Sequence, residues 1–158
     1  MVPTSRPPDV APPATTRLVL PLQLGDVWIA IDPLFVQELL GARSWVRVPG
    51  AAPQLPGVLA WRSRAIAVLE LREVLGLPTR ATTTPPRTVV ARVDDCTFAF
   101  FVDVAREVRA VDPAAIGAPH AVNGRFAAHE LALEGRVMPL VDLAAVIDAV
   151  SGPVSGTP

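Results

Sequence analysis

The chain has 158 residues, 51% of them apolar, with 18 prolines, one cysteine and no tyrosine. Its 14 basic residues are all arginine and face 15 acids, for a net charge of −1. That balance leaves no basic stripe to attract nucleic acid, and the lone Cys96 excludes an internal disulfide or a cysteine-built metal cage. No apolar run approaches the ~20 residues that would insert into a membrane, and no charged-then-apolar leader opens the chain, so the expected location is cytoplasmic.

Residues 1–16 carry five prolines (3, 7, 8, 12 and 13) and no apolar period, and read as a disordered tail. The folded unit is expected over 17–150. Two strands, 18–24 and 27–31, flank Gly25-Asp26, whose glycine-first order suits a type II′ turn. Asp32-Pro33 is a helix-start pair, which predicts about two helical turns over 34–40 ended by Gly41. On that helix Phe35, Val36 and Leu39 would face inward, with Gln37 and Glu38 outward. A short strand follows at 46–48, another at 57–62, then a tight turn at Ser63-Arg64 into 65–69. Glu70 opens a short helix closed by Gly76. Residues 79–86 are expected to link two halves. The second half predicts strands at 87–93, 97–102, 107–111, 126–133 and 136–141, with turns at Asp94-Asp95 and Glu134-Gly135 and a loop through Asn123-Gly124. Asp142 is a candidate N-cap for a last helix to Val150, with Leu143, Val146 and Ile147 at helical spacing. Residues 151–158 read as a flexible tail.

The halves echo each other. Arg64-Ala-Ile-Ala-Val-Leu-Glu70-Leu-Arg-Glu-Val-Leu75 returns 72 positions later as Arg136-Val-Met-Pro-Leu-Val-Asp142-Leu-Ala-Ala-Val-Ile147. Val27-Trp-Ile-Ala-Ile-Asp32 returns 71 positions later as Phe98-Ala-Phe-Phe-Val-Asp103. Two pairs in one order at offsets of 72 and 71 argue for two similar β-rich halves, as sandwiches or small barrels.

Catalytic constellations are nearly absent. His120 and His129 lack the spacing of a helical zinc pair, Ser63 has no base beside it, and no glycine-rich phosphate loop joins a strand to a helix. Asp94-Asp95 reads as a turn, because two adjacent acids cannot complete an oxygen shell. Trp61-Arg62-Ser63-Arg64, by contrast, puts an indole and two guanidiniums at one strand end, the residue types that anchor interfaces. An oligonucleotide-binding barrel is disfavoured, since such grooves combine basic charge with stacking aromatics.

The order of these phrases resembles CheW-like domains. Leu24-Gly-Asp-Val-Trp-Ile-Ala-Ile-Asp32 with Val36-Gln-Glu38 is similar to the family's opening. Pro56-Gly-Val-Leu-Ala-Trp-Arg62-Ser63 followed by Ile66-Ala-Val-Leu-Glu70-Leu-Arg72 resembles its central signature. Phe101-Val-Asp-Val104 with Glu107-Val108, and Met138-Pro-Leu-Val-Asp142-Leu143, resemble its later motifs. Ser63 stands where the family has glycine, so that turn must avoid or tolerate a positive φ. The resemblance implies an all-β fold with short helices, two five-stranded barrels around a shared core. It implies no cofactor and no catalysis, but an adaptor joining a chemoreceptor's cytoplasmic tip to the regulatory domain of a CheA-type histidine kinase. Receptor contacts would fall on Val36, Glu38, Arg62, Ser63, Val102 and Val104. Kinase contacts would fall on Val46, Val48, Gly57, Val58 and Leu59. The alternative is a divergent module that binds the kinase alone and limits array assembly.

Overall fold

A computed structural model describes residues 16–78, 86–118 and 127–151. All but Thr16 and Ser151 of the expected tails, most of the 79–86 linker, His120 and the Asn123-Gly124 loop lie outside these residues.

Two sheets carry the described chain. The first contains β1 (Arg17–Leu24), β2 (Val27–Ile31), β9 (Val104–Ala105), β10 (Arg109–Val111), β11 (Ile116–Gly117), β12 (Ala127–Leu133) and β13 (Arg136–Val141). Its order is β10-β1-β2-β13-β12-β11, with β9 also on β1. The second contains β3 (Val36–Leu40), β4 (Val46–Arg47), β5 (Gly57–Trp61), β6 (Arg64–Val68), β7 (Arg87–Val93) and β8 (Cys96–Val102), in the order β3-β7-β8-β6-β5-β4. Every pairing is antiparallel except two. These join β2 to β13 at Ala30 and Leu140, and β6 to β8 at Ala67–Phe98 and Val68–Ala99. Each parallel seam joins a hairpin from one half to the last hairpin of the other, so each sheet is assembled from both halves.

The central hairpins are apolar on both faces because both faces are buried. Leu20, Leu22, Ile29 and Ile31 of the first sheet meet Val89, Phe98, Phe100 and Val102 of the second in one shared core. The alternate faces look into separate interiors. Val19, Ala30, Leu131, Met138 and Leu140 fill the first, while Leu59, Trp61, Ile66, Val68, Val90 and Ala99 fill the second. Full burial of each large side chain stabilises by about 1.5–3 kcal/mol, so the period-2 split is strongly enforced. Helices α1 (Leu71–Leu75) and α2 (Leu143–Val150) plug the shared core with Leu71, Leu75, Leu143, Val146 and Ile147. As the sequence suggests, Asp142 caps α2 and Gly76 ends α1 at φ 70°; Glu70, expected as the first helical residue, is instead the N-cap of α1 and accepts from the Arg72 amide. Cys96, half-buried, packs against the same core as a small hydrophobe.

Two expectations need correction. The helix over 34–40 is a single 3-10 turn, Pro33–Phe35, followed by a strand. Asp32 does cap, accepting from the Leu34 amide at 2.9 Å. But Val36 to Leu40 pairs antiparallel with β7, and the ladder outweighs a helix that at seven residues is too short to be stable by itself. The second turn falls at Arg62-Ser63, one residue earlier than expected, with φ of 48° and 63°. Ser63 therefore tolerates the positive φ that glycine would accept freely. The expected all-β fold with short helices and two subdomains around a shared core is what the structure shows; with their short edge strands the sheets count seven and six strands, and neither closes through backbone pairing among the described residues.

Candidate docking surfaces

Glu38 and Arg62 do come together, but as an internal clasp, with Ser63 exposed beside it in the turn. Trp61 Nε1 donates to Glu38 Oε1 at 3.0 Å, and an Arg62 terminal nitrogen donates to the same oxygen at 3.2 Å. The Arg62 guanidinium also lies 4.7 Å from the Trp61 ring centre. In the second sheet's order, β7, β8 and β6 separate β3 from β5, so this contact curls the sheet and joins its two sides through side chains. Trp61 is only 8% exposed; it fills the interior and is no interface anchor. Arg62 remains two-thirds exposed and keeps other donors for a partner. Val36, half-buried, packs on the shared core.

The corner at Val102–Val104 lies elsewhere. The β6–β8 register places Arg64 opposite Asp95, so Val102 is seven residues further along, about 20 Å from the Arg62-Ser63 turn. The Val102 side chain is fully buried and cannot touch a partner, while Val104 is half-buried on β9. Between them sits the most buried ion pair found among the described residues. Asp103 binds Arg72 of α1 and accepts from the Gly25 amide at 2.6 Å, while the Asp103 amide bonds the Gln23 carbonyl at 2.8 Å. One carboxylate thus ties the first hairpin, the β8–β9 corner and α1 together.

The residues expected at a kinase face separate by depth. Val46 and Val48 are exposed on and just after β4, the outer edge strand of the second sheet. Val58 is half-buried behind them, and Leu59 is enclosed in the second interior. Gly57 is buried against the Val46 carbonyl and the Trp45 ring, leaving no room for a β-carbon. Gly57 and Leu59 therefore support this edge from below. Arg47 stacks 4.8 Å from the Trp45 ring centre at its rim.

A cleft of about 450 Å³, not anticipated from the sequence, opens beside the β2–β13 seam. Val27, Leu75, Val137, Pro139 and Val141 line it, with Asp26, Trp28 and Arg136 also on its walls. Val137 is 64% exposed at its lip. The strands that build it are over a hundred residues apart in sequence, which is why no local pattern announced it. Among the described residues no three His, Cys, Asp or Glu side chains gather as a metal site, and no helix is long and apolar enough to cross a membrane. His129 directs its Nδ1 at the Gly117 carbonyl, 3.2 Å away, joining β12 to β11.

The model of the CheW-like domain matches residues 19–151, nearly all of the described chain. The chain belongs to the CheW-like domain family. It is a non-catalytic adaptor domain of chemotaxis signalling. The fold of this CheW-like chain is also similar to the crystal structure of the scaffolding protein TtCheW from Thermoanaerobacter tengcongensis. The TM-score is 0.76 over 85% of this chain and 94% of that one, at 17% identity. A search of the curated proteins finds no match. The CheW-like motifs read in the sequence coincide with the elements that build the shared core, and two of them also line the seam-side cleft, through Asp26, Val27, Trp28 and Ile29 of the opening phrase and Pro139 and Val141 of the last.

Proposed function

We propose that this CheW-like protein couples the cytoplasmic tip of a chemoreceptor to the regulatory domain of a CheA-type histidine kinase. The observation that carries this reading is a pair of apolar surfaces on different sheets of one unit. The first is the β2–β13 cleft, suited to an apolar face of a helix; the second is the β4 edge with Val46 and Val48 exposed. An open edge strand can also extend its ladder into a partner. The shared core holds the two surfaces in fixed relation, so occupation of one raises the effective concentration of the other partner. Arg62, anchored by Glu38 and still rich in donors, is available to a receptor or kinase carboxylate at the far end of the second sheet. Glu38 is a positioning residue for it. In this reading the protein works at the cytoplasmic face of receptor arrays.

The test is co-sedimentation with a receptor signalling fragment and a kinase regulatory domain, together and singly. Wild type brings down both. Val137→Arg loses the receptor fragment and keeps the kinase domain; Val46→Asp does the reverse. Capture of the kinase alone by wild type would replace this reading with a kinase-binding module that limits assembly.

A further inference from the structure

Two guanidiniums share one indole at the wall of the cleft. The Arg106 Cζ lies 5.4 Å and the Arg136 Cζ 5.3 Å from the Trp28 ring centre. Trp28 sits on β2, Arg136 opens β13 and Arg106 follows β9, so three elements converge on this point. The ring quadrupole attracts each cation, but two cations at one ring also repel each other. An anion between them would relieve that repulsion.

The acids of the neighbourhood are Glu134, which is already bonded to Arg109, and Glu107. Among the described residues neither Arg106 nor Arg136 takes part in an ion pair, whereas the nearby Arg109 is bound to Glu134. Trp28 and Arg136 also form the wall between the apolar cleft and a polar hollow of about 740 Å³. Arg106, Arg109 and Arg136 line that hollow against two acids, Glu107 and Glu134. Glu134 reports the resulting field: its carboxyl is held below the usual range first by its bond to Arg109, and further by Arg106 and Arg136. One of the two acids is therefore already committed; both arginines over Trp28 are exposed, Arg136 lining the cleft and the hollow and Arg106 the hollow on the other side of the shared indole wall.

We propose that Trp28, Arg106 and Arg136 form a specificity element that selects a helix carrying a carboxylate about one turn from its apolar anchor. The apolar anchor enters between Val27, Val137 and Val141, and the carboxylate reaches the arginines across Trp28. The charge complementarity sets the direction in which the helix lies, with its acidic turn towards β9. This rests on the reading that the cleft takes a receptor helix, and extends it to which helices fit. The bland alternative is that the two arginine stems only shield the indole from water.

The experiment uses the full chain and a soluble chemoreceptor signalling-tip fragment, with Kd measured by titration at several salt concentrations. Arg106→Gln with Arg136→Gln keeps the aliphatic cover over Trp28 and removes both charges. The expected result is binding about tenfold weaker at low salt, with a shallower dependence on salt. A fragment whose acidic tip residues are changed to glutamine should lose the same factor with wild type and nothing further with the double variant. Equal affinity and equal salt dependence for wild type and double variant would overturn this inference while leaving the receptor reading in place. Failure of wild type to bind the fragment at any salt would overturn both. Matching urea midpoints for wild type and double variant exclude a folding defect as the cause.

Discussion

Replacing Arg72 by alanine should cost this protein about 3 kcal/mol of folding stability. The Arg72 side chain is 6% exposed and that of Asp103 17%, so the pair is screened by protein more than by water. Removing one partner of such a pair typically costs about 3–5 kcal/mol, because the remaining charge stays buried without compensation. Here the loss lies at the lower end, since Asp103 keeps the Gly25 amide at 2.6 Å. Against the ~5–15 kcal/mol that holds a typical domain, this is a large fraction. Urea unfolding followed by tryptophan fluorescence measures it directly, with Trp28 in the first sheet and Trp45 and Trp61 reporting on the second. The double-mutant cycle with Asp103→Asn should show a coupling of about 2 kcal/mol, because each single change removes the same link between α1 and the first hairpin. A loss under about 1 kcal/mol for Arg72→Ala, or additive single changes, would show that the carboxylate is not the joint between the sheets.

Gly57→Ala forces a β-carbon into the Val46 carbonyl and the Trp45 ring; it should cost about 1–3 kcal/mol and free the β4 edge, seen as faster amide exchange at Val46 and Val58. Ser63→Gly relieves a side chain held at φ 63° and should stabilise by about 0.5–1 kcal/mol in thermal unfolding, with partner binding unchanged. Arg109→Gln should move the Glu134 carboxyl back up towards 4.5, followed by NMR titration of its side chain. Because the folded-state value is depressed, whatever stability the pair provides is present above the unfolded value and disappears as pH falls through the folded one. The variant should flatten that acid-side dependence, and an unchanged titration would sever Arg109 from the effect.

How much of this could be read from residues alone varies with the range of the interaction. The cap at Asp142, the glycine stop at Gly76 and the turns at Gly25-Asp26, Asp94-Asp95 and Glu134-Gly135 are local, and each residue's own chemistry announces them. Val36 to Leu40 misled because its start signal, Asp32-Pro33, is genuine; the capped turn forms and then yields to pairing with a strand some fifty residues away. The same Asp-Pro phrase at Asp112-Pro113 opens a second 3-10 turn, again followed by a strand. The resemblance assigns Glu38 and Arg62 separately, each as a contact for another molecule. Only the curl of the second sheet shows that they first bind each other.

By itself the sequence determined the period-2 segments, the turns, both helices, the internal repeat and the family, since all of these depend on residue type and short spacing. Only the tertiary structure decided that the halves exchange hairpins, that Asp103 and Arg72 join the sheets, and that Trp28 stands between an apolar cleft and two arginines. Those features come from strands meeting through shared burial of distant faces, and a buried face records in its sequence that it is covered, but not by what.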